Sequence, residues 1–260
     1  MLLREFDPAT EAVINPSTLV EPVPGMPKIV VSCFARVTFN RMVEGLGGVP
    51  IAVSKTANME YPIYKAVYRG IELALMMAGV GAPVCVGGYE EAFAMGIETA
   101  IIFGNCGVLD RSIEDCGIII PTSALRDEGT SFHYAPPSEE IEVNPRYRRV
   151  FTDLLDETGV RYTLGKCWTS DAMYRETRQK IAARKAAGCV CVDMECSAMA
   201  ALARFRGKEV FQFFYAADNL DGEQWDARSL SVHSEVEKKD KVAALALELA
   251  YRIDQAKHNQ

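Results

Sequence analysis

The sequence predicts an α/β protein: a single-domain, three-layer α/β/α sandwich around a mixed, mostly parallel central β-sheet. Three observations carry that expectation. From residue 28 onward, apolar runs of strand length alternate with stretches of helical periodicity. The 260 residues are 49% hydrophobic and 24% charged, enough for one sizeable core. No internal repeat and no low-complexity linker divides the chain.

Residues 1–27 carry five prolines (Pro8, Pro16, Pro22, Pro24 and Pro27) and little periodicity, which predicts an extended N-terminal arm ahead of one domain over 28–260. Strand-like runs follow at 28–32, 71–78, 99–103, 117–120, 161–168, 189–194 and 209–216. Helix-like stretches fall at 37–46, 84–95, 146–157, 171–187, 196–205 and 236–253, the last with Val242, Leu245, Leu247 and Leu249 among charges. Residues 121–145 read as a long polar insertion, and loops of that size are more often functional or interfacial than idle.

Net charge is −7, which argues against nucleic acid as a partner. The start, M-L-L-R-E-F-D-P, lacks an apolar signal core, and no apolar run is long enough to span a bilayer. The expected setting is therefore cytoplasmic, with no membrane partner. Of eight cysteines, Cys33, Cys85, Cys106, Cys116, Cys167, Cys189 and Cys191 lie in or beside apolar segments and read as buried, reduced thiols. Cys189, Cys191 and Cys196 are closely spaced, but no C-x-x-C occurs and His133, His233 and His258 lie elsewhere, so no metal site is implied.

The most informative stretch is V-C-V-D-M-E-C-S-A-M-A-A (190–201). A strand-type run ends on Asp193 and Glu195 and turns at once into a small-residue helix pattern. Carboxylates at a strand exit sit where α/β folds grip ligands. If the strand runs through both, they share one face, with Met194 on the other. A carboxylate there can accept two hydroxyl hydrogen bonds, as a sugar diol offers. Four other segments stand at strand exits. Gly79-Val80-Gly81-Ala82-Pro83 is either a tight turn or a ligand loop, with Pro83 suited to a first helical turn. Gly104-Asn105-Cys106-Gly107 is either a glycine-rich turn or a backbone anion nest. Asp218, closing F-Q-F-F-Y-A-A, is either a helix cap or a proton donor in an apolar mouth. In W-T-S-D-A-M-Y (168–174), Met173 and Tyr174 either pack in the core or stack on a planar base. Arg36, Arg126, Arg175 and Arg228 carry no signal singly.

Taken together, these residues resemble nucleoside phosphorylase family I, the purine nucleoside and uridine phosphorylases with their nucleosidase relatives. The similarity runs over about residues 28–250. G-N-C-G-V-L (104–109) looks like the family's phosphate loop, L-R-D-E-G-T-S-F-H-Y-A-P-P (125–137) resembles a uridine-phosphorylase-type segment, V-D-M-E (192–195) looks like the ribose-binding strand, and A-A-D (216–218) matches the position of the purine enzymes' catalytic Asp. The resemblance implies a phosphorylase/hydrolase-like fold. It implies that Glu195 holds the ribose 2′- and 3′-hydroxyls, that Asp193 takes a lesser part beside it, that Met194 lines the sugar pocket, and that Val80 sits below the sugar. Met173 and Tyr174 would flank the base, and Asp218 would protonate or hydrogen-bond a purine N7, with Arg228 as its supporting partner. Ser32, Arg36, Gly104 and Asn105 would form the phosphate site.

That site departs from the family pattern. The G-D-P-x-x-R-type loop appears as S-C-F-A-R (32–36), Ile102 stands where an arginine is usual, and the arginine given by a neighbouring subunit falls near Met59, with Lys55 the nearest cation. Arginine matters because its fork binds phosphate bidentately. The uridine enzymes' base clamp has only Arg175 and Gln179 as displaced counterparts.

The leading reading is a pentosyltransferase: a purine nucleoside or uridine plus phosphate gives free base and ribose 1-phosphate. Glu195 and Asp218 are its catalytic candidates and inorganic phosphate its co-substrate, with no metal or organic cofactor. Two rivals remain: a nucleosidase, which uses water and needs fewer arginines, and a nucleoside-binding protein without turnover. The resemblance also implies a homo-oligomer, hexameric or dimer-based, with residues 121–145 and the arm as candidate contacts.

Overall fold

The first apolar run forms β1 (Ile29–Cys33), and every residue of it is buried because it lies in the interior of a ten-stranded mixed sheet. In this computed structural model, residues 5–230 and 235–258 are described; the first four residues of the arm and His233 lie outside them. The arm is irregular apart from the short helix α1 (Pro16–Leu19). It lies over later parts of the chain: Phe6 meets the Phe205 ring edge-on, and Arg206 donates to the Thr10 carbonyl at 2.7 Å.

After β1 come α2 (Arg36–Gly45), β2 (Val49–Lys55), β3 (Glu60–Tyr68), β4 (Ile71–Met77), α3 (Ala82–Met95), β5 (Thr99–Val108), β6 (Ile118–Asp127) and β7 (Glu140–Glu142). The chain then continues through α4 (Arg148–Thr158), β8 (Tyr162–Ser170), α5 (Arg178–Ala186), β9 (Cys189–Asp193), α6 (Cys196–Arg206), β10 (Glu209–Asn219) and α7 (Val236–His258). Alternate residues of β1 feed opposite layers. Ile29, Val31 and Cys33 pack with residues of α2, α4 and α7, and Val30 packs with α3 and α6. Helices thus cover both faces, as the alternation predicts. In the first layer the Phe151, Phe211 and Phe213 rings cluster, with Phe151 and Phe213 4.5 Å apart. Each such fully buried ring contributes about 1.5–3 kcal/mol. No helix among the described residues is long and apolar enough to cross a membrane.

The sheet order is β10-β6-β8-β9-β5-β1-β4-β3-β2, and β10 also pairs with β5. Strands β5, β9, β8, β6 and β10 therefore close into a ring, a feature that apolar periodicity alone does not reveal. The parallel pairings are β4–β1, β1–β5, β5–β10, β6–β8 and β8–β9. They form two parallel sets, β4-β1-β5-β10 and β6-β8-β9, which meet through the antiparallel pairs β5–β9 and β10–β6.

Four segments differ from expectation. The β2–β3 hairpin, unmarked by any apolar run, is antiparallel and half-exposed; it carries Pro50 and Pro62 near the sheet edge. Residues 121–145 are not wholly a loop, since β6 runs on to Asp127 and β7 returns to pair with it. Residues 171–177 are not helical; they make a bend and a single 3₁₀ turn, Met173–Arg175, before Thr177 caps α5. Gly104–Gly107 is not a turn, because β5 runs straight through it. Seven cysteines are buried as free thiols, and Cys116 is half-buried.

Asn144 ties the far end of the ring together. Its side chain donates to the Pro121 and Gln212 carbonyls at 3.0 and 2.7 Å and accepts the Gln212 N–H at 2.8 Å. It is 2% exposed and sits at φ 54°, a region asparagine tolerates better than most residues. Asn144→Ala strands three buried backbone groups, so urea unfolding should show a loss of about 3 kcal/mol or more. A loss under about 1 kcal/mol would show that water replaces the side chain at no cost.

Candidate active site

The C-terminal ends of β5, β9 and β10 open into a cleft of about 290 Å³. Glycines set its depth. A Cβ on Gly104 would meet the Phe34 ring at 2.6 Å, and one on Gly107 would meet Leu220 at 2.4 Å and Val192 at 3.1 Å. Neither glycine has positive φ. Their role is close approach, so no anion nest forms at 104–107. Gly81 is the opposite case: at φ 91° it caps the start of α3 in a conformation that favours glycine, and Pro83 occupies the first turn.

Strand β9 stops at Asp193, so Asp193 and Glu195 do not share a strand face. Asp193 instead builds the junction. It accepts the Glu195 and Cys196 N–H groups at 2.9 and 2.7 Å, the Thr169 hydroxyl at 2.8 Å and the Cys167 thiol at 3.3 Å. Glu195 stands at the N-cap of α6 and accepts the Gly81 N–H at 2.5 Å, joining the β9–α6 junction to the Gly79–Gly81 loop. Both carboxylates are 6% exposed. Burial raises the pKa of each, and the Asp193 charge raises Glu195 further. Hydrogen bonds favour ionised Asp193, so Glu195 is the one that holds a proton to higher pH.

Across the cleft, Asp218 is half-buried and accepts the Trp225 indole N–H at 2.8 Å. Glu176, just past the 3₁₀ turn, shares the cleft wall. Its pKa rises to about 7, first through burial and then through the nearby Asp218 charge. Sequence reasoning did not find Glu176: it stands in a polar run where nothing separates it from solvated neighbours. Trp225 likewise lies beyond the strand end, and only the folded loop brings it to Asp218.

Of the expected residues, Val80, Asn105, Met173, Asp193, Met194, Glu195 and Asp218 line the cleft. Arg36, the first residue of α2, lines an adjoining pocket of about 380 Å³ that shares Phe34 and Val80 with the cleft. Met59 also lines this pocket, whereas Lys55 pairs with Glu60 at 3.0 Å.

Four expected residues fall elsewhere. Ser32 is fully buried, because its position on β1 faces the α3 layer rather than the strand end. Gly104 is covered by Phe34. Tyr174 is 93% exposed, since the turn at 173–175 points it outward. Arg228 donates to the Ile113 carbonyl at 2.9 Å and faces Asp226, so Trp225 rather than Arg228 supports Asp218. Ile102, fully buried, brings no charge. Among the described residues lining the cleft, four are carboxylates and none is a cation.

A sequence profile of the phosphorylase superfamily matches residues 29–253. The chain is 31% identical over 153 residues to a guanosine phosphorylase of Halorubrum lacusprofundi, covering 58% of this chain and 62% of that protein. It is 30% identical over 119 residues to a uridine phosphorylase of Thermococcus kodakarensis, covering 44% and 42%. It thus spans less than two thirds of the length of these two relatives. A uridine phosphorylase of Treponema pallidum is 26% identical over 208 residues, covering 76% and 80%. The crystal structure of uridine phosphorylase from Vibrio fischeri ES114 superposes with a TM-score of 0.75 at 22% identity, covering 92% of this chain and 98% of that one; at that identity it speaks for the fold.

Glu176 gives the cleft a measurable pH signature. Its pKa in the folded chain lies above the usual 4.5, so the folded chain retains a proton that the unfolded chain has released, and stability falls as pH rises from about 4.5 through about 7. Glu176→Gln removes that slope. Its Tm relative to the parent should rise between about pH 5 and pH 8; parallel Tm profiles would show Glu176 to be solvated.

Proposed function

We propose that this chain, which belongs to the phosphorylase superfamily, cleaves the N-glycosidic bond of a purine nucleoside or uridine with inorganic phosphate, giving free base and ribose 1-phosphate. The observation that carries this reading is the buried Glu195, fixed against Gly81 at the foot of a cleft whose opposite wall holds Asp218. The guanosine and uridine phosphorylase relatives support it.

In this mechanism the ribose lies over Val80 and Met194, with its diol at Glu195. A carboxyl group there orients the sugar as positive charge gathers at C1′. A phosphate oxygen attacks C1′, the C1′–N bond breaks, and its electron pair passes to the base. Asp218, oriented by Trp225, acts in its protonated form: its O–H donates to a purine N7 and neutralises the negative charge arriving on the base. Met173 packs against the base. Phosphate enters through the adjoining pocket, where Arg36 supplies the charge and α2 and α3 both begin; helix N-termini favour anions. Phosphate is the co-substrate, and the reaction needs no metal or organic cofactor.

One pocket with one arginine is a weak anion site. That shortage supports a homo-oligomer, hexameric or dimer-based, in which a neighbour adds charge beside Met59. The eight free thiols and the charge of −7 support a cytoplasmic setting. The same shortage favours hydrolysis as the second reading.

A panel of uridine, inosine, guanosine and adenosine, each with and without phosphate, decides between them. Base release should require phosphate; equal release without it would establish hydrolysis, and ligand binding without release would leave a binding protein. Each diol hydrogen bond to Glu195, ionised as it accepts them, is worth about 1.5–3 kcal/mol, so losing the two in Glu195→Ala should lower kcat/KM by roughly 10²–10⁴. Near-normal activity on ribosides would remove Glu195 from the sugar site. Asp218→Asn should slow purine nucleosides at least about tenfold more than uridine, whose ring has no N7. Equal losses on both would make Asp218 structural.

A further inference from the structure

A second cavity, of about 550 Å³, lies at the other end of the sheet from the cleft, where β5 and β10 begin. It follows α6 from Cys196 past Ala200 and Ala203 to Arg204, so its floor is small and apolar. Its volume falls in the range of organic-ligand pockets, roughly 300–1,000 Å³.

Two observations mark it as more than a void. The first is Gln212, on the face of β10 turned toward α6. The side chain is 1% exposed, yet neither its amide nitrogen nor its amide oxygen has a hydrogen-bond partner. Asn144 already serves the Gln212 backbone, so the carboxamide alone is left over. A buried amide without partners is destabilising, and an apolar residue of the same shape would avoid that cost. The second is the charge around the cavity. Arg146, Arg204, Lys208 and Lys257 face Glu98, Glu142 and Glu209 in a chain whose net charge is −7. Arg146 and Lys257 are taken up by Glu209. Arg204 makes no hydrogen bond or ion pair with any described side chain. Among the described side chains, Lys208 meets the Phe93 ring, at 5.8 Å, and the field of Glu98.

We propose that this cavity binds a ribonucleoside monophosphate. A carboxamide presents a donor beside an acceptor, which matches the donor–acceptor edge of a nucleobase. The small side chains of α6 accept the flat ring, and Arg204 with Lys208 receives the phosphate. The occupant is distinct from whatever the cleft turns over. Gln212 and Arg204 mark this site independently of the activity proposed above.

The test is calorimetric titration of the full chain carrying Glu195→Ala, which takes the cleft out of play. Adenosine, guanosine, uridine and cytidine 5′-monophosphates are each titrated, with inorganic phosphate and the free nucleosides as comparison. At least one monophosphate should bind saturably, and at least about tenfold more tightly than phosphate or its nucleoside. Gln212→Leu, near-isosteric and relieved of an unpaired amide, should fold at least as stably and weaken that binding about tenfold or more. Arg204→Glu, an exposed change that leaves folding intact, should do the same. Several results would overturn the proposal: no monophosphate binds, inorganic phosphate binds as tightly, or both variants retain the parent's affinity. A purely structural Gln212 would show itself as a loss of stability in Gln212→Leu with ligand binding unchanged.

Discussion

Four donors converge on the carboxylate of Asp193: two backbone N–H groups from the start of α6, the hydroxyl of Thr169 on β8 and the thiol of Cys167 on the same strand. With them a single buried charge fixes where β9 ends, how α6 begins and how β8 lies beside them. A carboxylate satisfied by that many donors stays charged in a place where an unpaired one would not. Glu195 gains its position from this junction, and its raised pKa comes first from burial and then from the same charge. The acid that reads as the lesser of the pair in sequence is therefore the one on which the geometry of the other depends.

The cleft built on that junction is acidic, and its cationic side lies next door. Asp193, Glu195, Asp218 and Glu176 line one compartment, Arg36 the next, and Phe34 and Val80 form the shared wall. Such a division suits a reaction in which positive charge develops on one fragment while an anion approaches from another direction. It also limits how much electrostatic help one chain gives that anion. Short hydrogen bonds from fixed backbone donors, such as that from Gly81 to Glu195, keep the acidic side ordered against its own repulsion.

The fold was legible wherever burial is dictated locally. The runs that became β1, β4, β5 and β10 are apolar because helices cover both faces, and that shows in sequence. The β2–β3 hairpin was not legible, since its residues are half-exposed near an edge and broken by Pro50 and Pro62. Site residues follow the same division. Glu195, Met194 and Asp218 stand out as polar or large groups at the ends of apolar runs. Ser32 stands out in the same way yet faces the interior, because one step along a strand reverses the face. Gly104 and Gly107 are ambiguous in sequence: a turn and a close contact both call for glycine, and the contacts come from Phe34 and Leu220, far away along the chain. Glu176 and Trp225 belong to irregular segments whose course is set by tertiary packing.

The chain has two tryptophans, and their surroundings differ completely. Trp168 is fully buried, its indole N–H on Asp127, while Trp225 is 59% exposed with its indole N–H on Asp218. One ring is shielded from solvent and the other stands at the mouth of the cleft. The molecule therefore carries its own optical reporter: a steady emission from the interior serves as reference, and the emission that quenchers reach follows occupancy at Asp218 without any added label.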